Sequence, residues 1–272
     1  MSEPSKSSSY SFFNIVEKCD NYPYSDNTKS SSKPNDIPLL LDNDIKVGLL
    51  LPPTVEALKE YIRWRDELYP IYGDPKSPKN IAFVMERCAA PLFGVLTFGV
   101  HLNGYTRTEQ GQLKMWIAKR ARTKPTWPGW LDNAVAGGIP YTLSVRESVI
   151  KEAMEEASLS MEIAEKAVPV GAISYFTVSQ RGLQPEIQYV YDLEIPLDVE
   201  PKPLDGEVEC FYLWDMDELV KHIKADEFKP NCALVVIDFL IRHSIIDPNN
   251  EPDYLDILNR LHRRLDFPTM TI

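Results

Sequence analysis

What this chain lacks narrows its class before anything it contains. No stretch approaches the roughly 20 apolar residues that a membrane-spanning helix needs. Its opening residues, Met1-Ser2-Glu3-Pro4-Ser5-Lys6, show no charged region followed by an apolar run, so no secretory leader is expected. Paired cysteines are missing too. Cys19, Cys88, Cys210 and Cys232 are scattered and form no C-x-x-C spacing, which points to neither a disulfide framework nor a zinc site. His101, His222, His243 and His262 have no ligand spacing, and no Ser-His-Asp set can be assembled from chain neighbours, so each is read as structural. Basic residues are in deficit: a formal net charge of -11 argues against general nucleic-acid binding, which needs clustered Lys and Arg. The expectation is a cytoplasmic protein with reduced thiols, compatible with a nuclear pool, with no nucleic-acid or membrane partner and an oligomeric state left open.

What is present is a chain of 272 residues, 44% hydrophobic and 25% charged, enough for one large domain or two smaller ones. Its most informative stretch is Glu152-Ala153-Met154-Glu155-Glu156-Ala157, where three carboxylates stand at relative positions 0, +3 and +4. In a helix these share one face, and like charges at such spacing repel. A divalent cation would relieve that repulsion; an ordinary solvated acidic face is the alternative. Ile150, Met154, Ala157 and Met161 are expected on the opposite, buried side. Ser144-Val145-Arg146-Glu147 has the form of a capping box, which starts the helix near Ser144. Just before it, Ala136-Gly137-Gly138-Ile139-Pro140 is expected to form a tight loop between strand and helix.

Glycines, capped helix and glutamate face together resemble the Nudix box, the diphosphate-hydrolase signature G-x5-E-x7-R-E-U-x-E-E-x-G-U. With Gly137 as the first glycine, Glu152, Glu155 and Glu156 fall on the three later glutamates, and Ala153 and Leu159 on the apolar positions. Three positions depart: Leu143 replaces the first glutamate, Lys151 the arginine and Ser158 the last glycine. The resemblance implies that Glu152, Glu155 and Glu156 ligate Mg²⁺ or Mn²⁺, with the Gly137 carbonyl as a weaker candidate. Such ions suit carboxylate sites where substrate phosphates complete the coordination. Glu207 and Glu209 alternate on an expected strand where the family often places an additional carboxylate. Glu209 is carried as the catalytic candidate, though spacing does not separate it from Glu207.

The organisation along the chain is similar to that of a Nudix protein: an α/β (α+β) fold, a mixed sheet sandwiched by helices, preceded by a smaller α/β domain. Residues 1–36 are serine-rich and expected to be mostly flexible, apart from a short docking helix at Phe12 to Lys18. A small N-terminal α/β domain is expected over 37–93, with strands at Ile45 to Leu51 and Ile81 to Val84 and a helix opening at Pro53-Thr54. The Nudix domain would cover 94–245. Its β-rich runs are Gly94 to Tyr105 and Met115 to Arg120, joined by a polar hairpin, then Val168 to Phe176, Ile187 to Glu194 and Glu207 to Trp214. A helix starts at Asp215, a core helix spans Ala233 to Ile246, and a helical extension closes 246–272.

The segment Lys119 to Asp132, running into Ala136-Gly137-Gly138, resembles the eukaryotic Nudix subgroup related to the N-terminal half of fungal thiamine pyrophosphokinases and to plant Nudix proteins. That resemblance implies a hydrolase converting thiamine diphosphate analogues, especially oxidised or otherwise damaged forms, to monophosphate and phosphate. Arg120, Arg122 and Lys124 are candidates for a phosphate that the ions leave uncovered. Trp127 and Trp130 are candidates either to stack a heterocycle or to pack the loop onto the domain, and Gln184 lies in the Gln180 to Glu186 loop that resembles the subgroup's substrate loop. A nucleoside-diphosphate-linked metabolite is the competing substrate, and a non-catalytic diphosphate sensor the competing class.

Overall fold

In the computed structural model, which describes residues 10–22, 37–41, 45–50, 67–74 and 76–270, the chain begins with α1 (Phe12–Cys19). Its start is dictated by a capping box: the Ser11 hydroxyl accepts the Asn14 amide while the Asn14 side chain accepts the Ser11 amide. Two antiparallel hairpins follow, β1 (Ile37–Leu41) with β2 (Ile45–Leu50), and β3 (Leu68–Tyr72) with β4 (Ile81–Glu86). A short α2 (Ala90–Phe93) ends at Gly94, whose φ of 56° is the left-handed stop that favours glycine. Strand β3 has no counterpart in the sequence expectations. The expected helix at Pro53 and the serine-rich stretches lie outside the described residues.

The main sheet is built from β5 (Thr97–Arg107), β6 (Leu113–Arg120), β7 (Leu131–Asp132), β8 (Val135–Gly138), β9 (Val168–Ser179), β10 (Gly182–Glu194) and β11 (Val208–Asp215). Its order is β11-β6-β5-β10-β9, with β7 on β6 and β8 on β5; β10 runs parallel to β5 and the other pairs are antiparallel. The helices are α3 (Val145–Ala157), α4 (Met161–Ala164), α5 (Met216–Lys224), α6 (Pro230–Arg242) and α7 (Tyr254–Leu261). Period-two alternation decides the layers. Phe98, Val100 and Leu102 of β5, with Tyr191 and Leu193 of β10, pack with Val149, Ala153 and Ala157 of α3. On the other face Met115, Ile117, Ile173, Tyr175 and Val190 pack with α1, α6 and α7. This is the mixed sheet sandwiched by helices that the sequence led us to expect.

Two local expectations are corrected. The buried stripe of α3 is Val149-Ala153-Ala157 together with Glu156, whereas Met161 is 54% exposed. The reason is that Ser158 takes a left-handed conformation (φ 53°) and ends the helix, so Met161 belongs to α4 and points elsewhere. Ser158 holds this strained position while its hydroxyl donates to the Lys202 carbonyl at 2.8 Å. Gly137 and Gly138, expected in a loop, lie in β8 opposite Val100 and Gly99 with no positive φ. What requires glycine there is close approach. A Cβ on Gly137 would lie 2.5 Å from Glu152 Cγ and Cδ, and one on Gly138 would collide with the Tyr69 hydroxyl.

The two ends of the described chain are joined to the sheet. Asp20, fully buried, accepts from Arg263 Nη1 at 2.8 Å and from the Phe176 amide at 3.0 Å. Tyr22 stacks on Phe176 with ring centroids 3.9 Å apart.

Candidate active site

Each of the three α3 glutamates has a different environment, although their spacing gives them one face. Glu156 is buried, and its carboxylate accepts the Ala136 amide of β8 at 3.0 Å. Glu152 presses against Gly137, its side chain 19% exposed, while Glu155 is 50% exposed and meets Lys151 Nζ at 2.6 Å. Two of the three therefore converge on β8 and the third faces solvent.

Tertiary structure adds two acids. Oxygen atoms of Glu156, Asp205 and Glu207 all lie within 4.8 Å of one another. Burial, followed by like charge from Asp132, Glu152 and Glu207, holds the Glu156 carboxyl well above the usual carboxylate range, with the Ala136 amide opposing. Glu152 is also raised, first by burial and then by Glu155 and Glu207, against the pull of Lys151. Glu207 goes the other way: burial would raise it, but the Lys124 ammonium, aided by Arg87 and Arg120, brings it below its ordinary value. Carboxylates grouped in this way, running from buried Glu156 to exposed Asp205 and only partly offset by Lys124 and Lys151, are an oxygen donor set of the kind a hard divalent ion takes. Glu156, Asp205 and Glu207, with the Glu152 charge bearing on Glu156, are the residues that would hold such an ion.

Several candidate residues are placed away from the roles expected of them. Glu209 pairs with Lys119 Nζ at 3.0 Å and faces Arg122 at 3.8 Å, outside the acidic cluster. A register shift between Val208 and Cys210 breaks the alternation that would have kept Glu207 and Glu209 on one face. Arg120 is buried: it donates to Asp132 at 2.7 Å, to the Trp127 carbonyl at 3.1 Å and to the Thr126 carbonyl at 3.0 Å. These bonds tie it to the loop, and it does not line the cavity beside the acids. Lys124 pairs with Glu207, and Arg122 is directed at Glu209.

Beside the acids opens a cavity of about 730 Å³. Gly137 and Gly138 line it next to Trp127 and Trp130, whose rings meet edge to face at 4.8 Å, and Gln184, which accepts from Ser179 Oγ at 3.0 Å, stands on the β9–β10 side. Its polar wall carries residues that sequence reasoning did not select. The Tyr175 hydroxyl donates to Glu186, and Gln188 Nε2 donates to Tyr175 at 2.9 Å and to Glu186 at 3.2 Å. His101 lines the same wall, and burial lowers its pKa to about 4, so it is neutral. Only alternation along β10, with Glu186 and Gln188 two apart, hinted at this polar wall.

His101, Asp132 and Cys232 also come together. Here the atoms are already matched: the Cys232 thiol donates to Asp132 at 2.7 Å, Arg120 neutralises Asp132, and His101 Nδ1 meets Asn133 Oδ1 at 2.8 Å. Arg120 supplies the compensating charge without a metal ion.

Residues 99–233 match the family model described as the NUDIX domain. An uncharacterized protein of Saccharomyces cerevisiae is 42% identical over 220 residues, covering 76% of this chain and 63% of the relative. Nudix hydrolase 20, chloroplastic, of Arabidopsis thaliana is 45% identical over 201 residues, covering 74% of this chain and 53% of the relative. The chain thus spans between about half and two thirds of these relatives' own lengths. Among solved structures, a C. elegans Ap4A hydrolase complex aligns over 53% of this chain and 98% of that one, at 15% identity and a TM-score of 0.39. With the matched domain spanning the glycine strand, the glutamate helix and β11, the chain belongs to the Nudix family.

Proposed function

We propose that this protein is a metal-dependent Nudix diphosphate hydrolase that converts thiamine diphosphate analogues, oxidised or otherwise damaged forms in particular, to the monophosphate and phosphate. The observation that carries the hydrolase reading is the convergence of Glu156, Asp205 and Glu207 beside β8, where Gly137 and Gly138 enter a cavity of about 730 Å³. A divalent cation held there neutralises diphosphate charge and provides a water of lowered pKa. The chain's own part is positional. The Ala136 amide fixes Glu156, Gly137 admits Glu152 to the site, and Lys124 keeps Glu207 ionised. Trp127, 40% exposed at the cavity, offers a ring face to a heterocycle, and Gln184 a polar contact.

The thiamine reading rests on the resemblance of the Lys119 to Asp132 segment and on this aromatic, polar pocket. The size of the cavity favours a second reading, a bulkier nucleoside-diphosphate-linked metabolite such as ADP-ribose or NADH. A diphosphate panel at one Mg²⁺ concentration, with monophosphate and inorganic phosphate both quantified, decides between them. The expected result is a kcat/KM for oxidised thiamine diphosphate analogues at least about tenfold above that for ADP-ribose or NADH, with intact thiamine diphosphate used less well. A clear preference for ADP-ribose or NADH overturns the thiamine assignment, and no hydrolysis of any member with Mg²⁺ or Mn²⁺ assigns the fold to a sensor.

A further inference from the structure

The segment that leads into the glycine strand supplies no cation to this cavity, since Arg120, Arg122 and Lys124 are not among the residues that line it and Arg120 and Lys124 are paired with Asp132 and Glu207. A cation does reach the cavity from the part of the chain that precedes the matched domain. Arg87, at the end of β4, is anchored twice to Glu67: its amide donates to the Glu67 carbonyl at 2.8 Å, and Nη1 donates to the Glu67 carboxylate at 2.8 Å. Its guanidinium carbon lies 5.5 Å from the centre of the Tyr69 ring, a cation–π placement that holds the group over one face.

Tyr69 connects this anchor to the acids. Its hydroxyl packs on Gly138, and the adjoining Gly137 carries Glu152 against it. Arg87, Tyr69, Gly137 and Gly138 line one cavity. Among the described residues Glu67 is the hydrogen-bonding partner of the guanidinium, through Nη1, which leaves Nε and Nη2 with donors to give. We propose that Arg87 is the residue that grips the substrate's diphosphate, its remaining fork donating to oxygens on the phosphoryl group that the acidic cluster's cation leaves uncovered. An arginine suits this task because its planar donors match phosphate geometry and its charge persists at any physiological pH.

Of the other cations on the cavity wall, Arg181 sits on the exposed turn between β9 and β10, and two more are less well placed. Lys18 pairs with Asp226, and the charge of Lys229 bears on Asp132, His101 and Cys232, away from the α3 glutamates. Arg87 in contrast acts on Glu207 of the cluster and on Glu186 of the pocket wall. The module before the Nudix domain thereby becomes part of the substrate site. Tyr69 of β3 lines the cavity beside Arg87, and β3 is fixed to the domain by the Tyr141 amide, which donates to the Leu68 carbonyl at 3.1 Å.

This inference rests on the diphosphate reading above, and its test separates the two. Binding of methylenediphosphonate, a non-hydrolysable diphosphate, is measured by calorimetry with Mg²⁺ for the wild type, Arg87→Met and Arg87→Lys, beside binding of Mg²⁺ alone. The expected result is at least a tenfold loss of methylenediphosphonate affinity in R87M, a smaller loss in R87K, and Mg²⁺ affinity within twofold of wild type in both. Equal methylenediphosphonate affinity in wild type and either folded variant overturns the role of Arg87. Should R87M fail to fold, the R87K comparison alone decides. A wild type that binds Mg²⁺ but not methylenediphosphonate overturns the diphosphate site itself.

Discussion

Glu156→Gln tests the acidic cluster from two directions at once. Glu156 is buried and has one backbone donor, the Ala136 amide at 3.0 Å, set against the negative charge of Asp132, Glu152 and Glu207. Glutamine has nearly the same shape, and its amide oxygen can still accept from Ala136. The substitution removes a desolvated charge while keeping the hydrogen bond, so the metal-free protein should gain stability, on the order of 1 kcal/mol. Function should move the opposite way. Losing a proposed ion ligand at the centre of the cluster should lower turnover by at least about tenfold, equivalent to roughly 1.4 kcal/mol of barrier. Stability is read by urea unfolding in EDTA, and turnover by phosphate release at saturating Mg²⁺. Wild-type turnover at saturating Mg²⁺, or a metal-free variant less stable than wild type, would refute the account of Glu156 as a buried ligand held at a cost.

Gly137→Ala would bring a methyl to 2.5 Å from Glu152 Cγ and Cδ. We expect Mn²⁺ affinity, measured by calorimetry, to fall severalfold, with a stability cost of about 1–3 kcal/mol; unchanged Mn²⁺ affinity would show that Glu152 is not a ligand. His101 is fully buried with its pKa lowered to about 4, so the unfolded chain takes up its proton first as pH falls and stability is lost between the unfolded and folded values. From pH 7 to pH 5 that loss is about 2 kcal/mol, and it should vanish in His101→Gln by urea unfolding at both pH values; an identical pH dependence in the variant would sink the attribution. Deleting residues through Tyr22 exposes partners of the buried Phe12, Ile15 and Val16, takes Asp20 from Arg263 and removes Lys18, Cys19 and Asn21 from the cavity wall. A loss of about 3 kcal/mol or more and a raised KM are expected, and a truncation with wild-type stability and KM would show that α1 does not build the site.

Much of the frame was legible from local rules. Glutamates at 0, +3 and +4 behind a Ser-x-x-Glu cap can only be a helix with an acidic face, and the structure starts that helix at Val145 behind Ser144. Alternation in the Thr97 to Tyr105 run decided the two faces of the sheet, because successive side chains of a strand point to opposite sides. Tertiary structure decided which acids meet. Spacing gave Glu152, Glu155 and Glu156 equal standing, and it is the approach of β8 to one flank of α3 that buries Glu156, packs Glu152 and leaves Glu155 with Lys151. No periodicity reveals the register shift that separates Glu207 from Glu209, nor the Asp132 carboxylate that removes Arg120 from the basic patch. Asp205 and Arg87 belong to segments distant in sequence from the glutamate helix, and only packing brings them to the cavity and its acids. A helix or strand pattern follows from neighbours a few residues apart, whereas a site is assembled by contacts between segments whose separation along the chain carries no local signal.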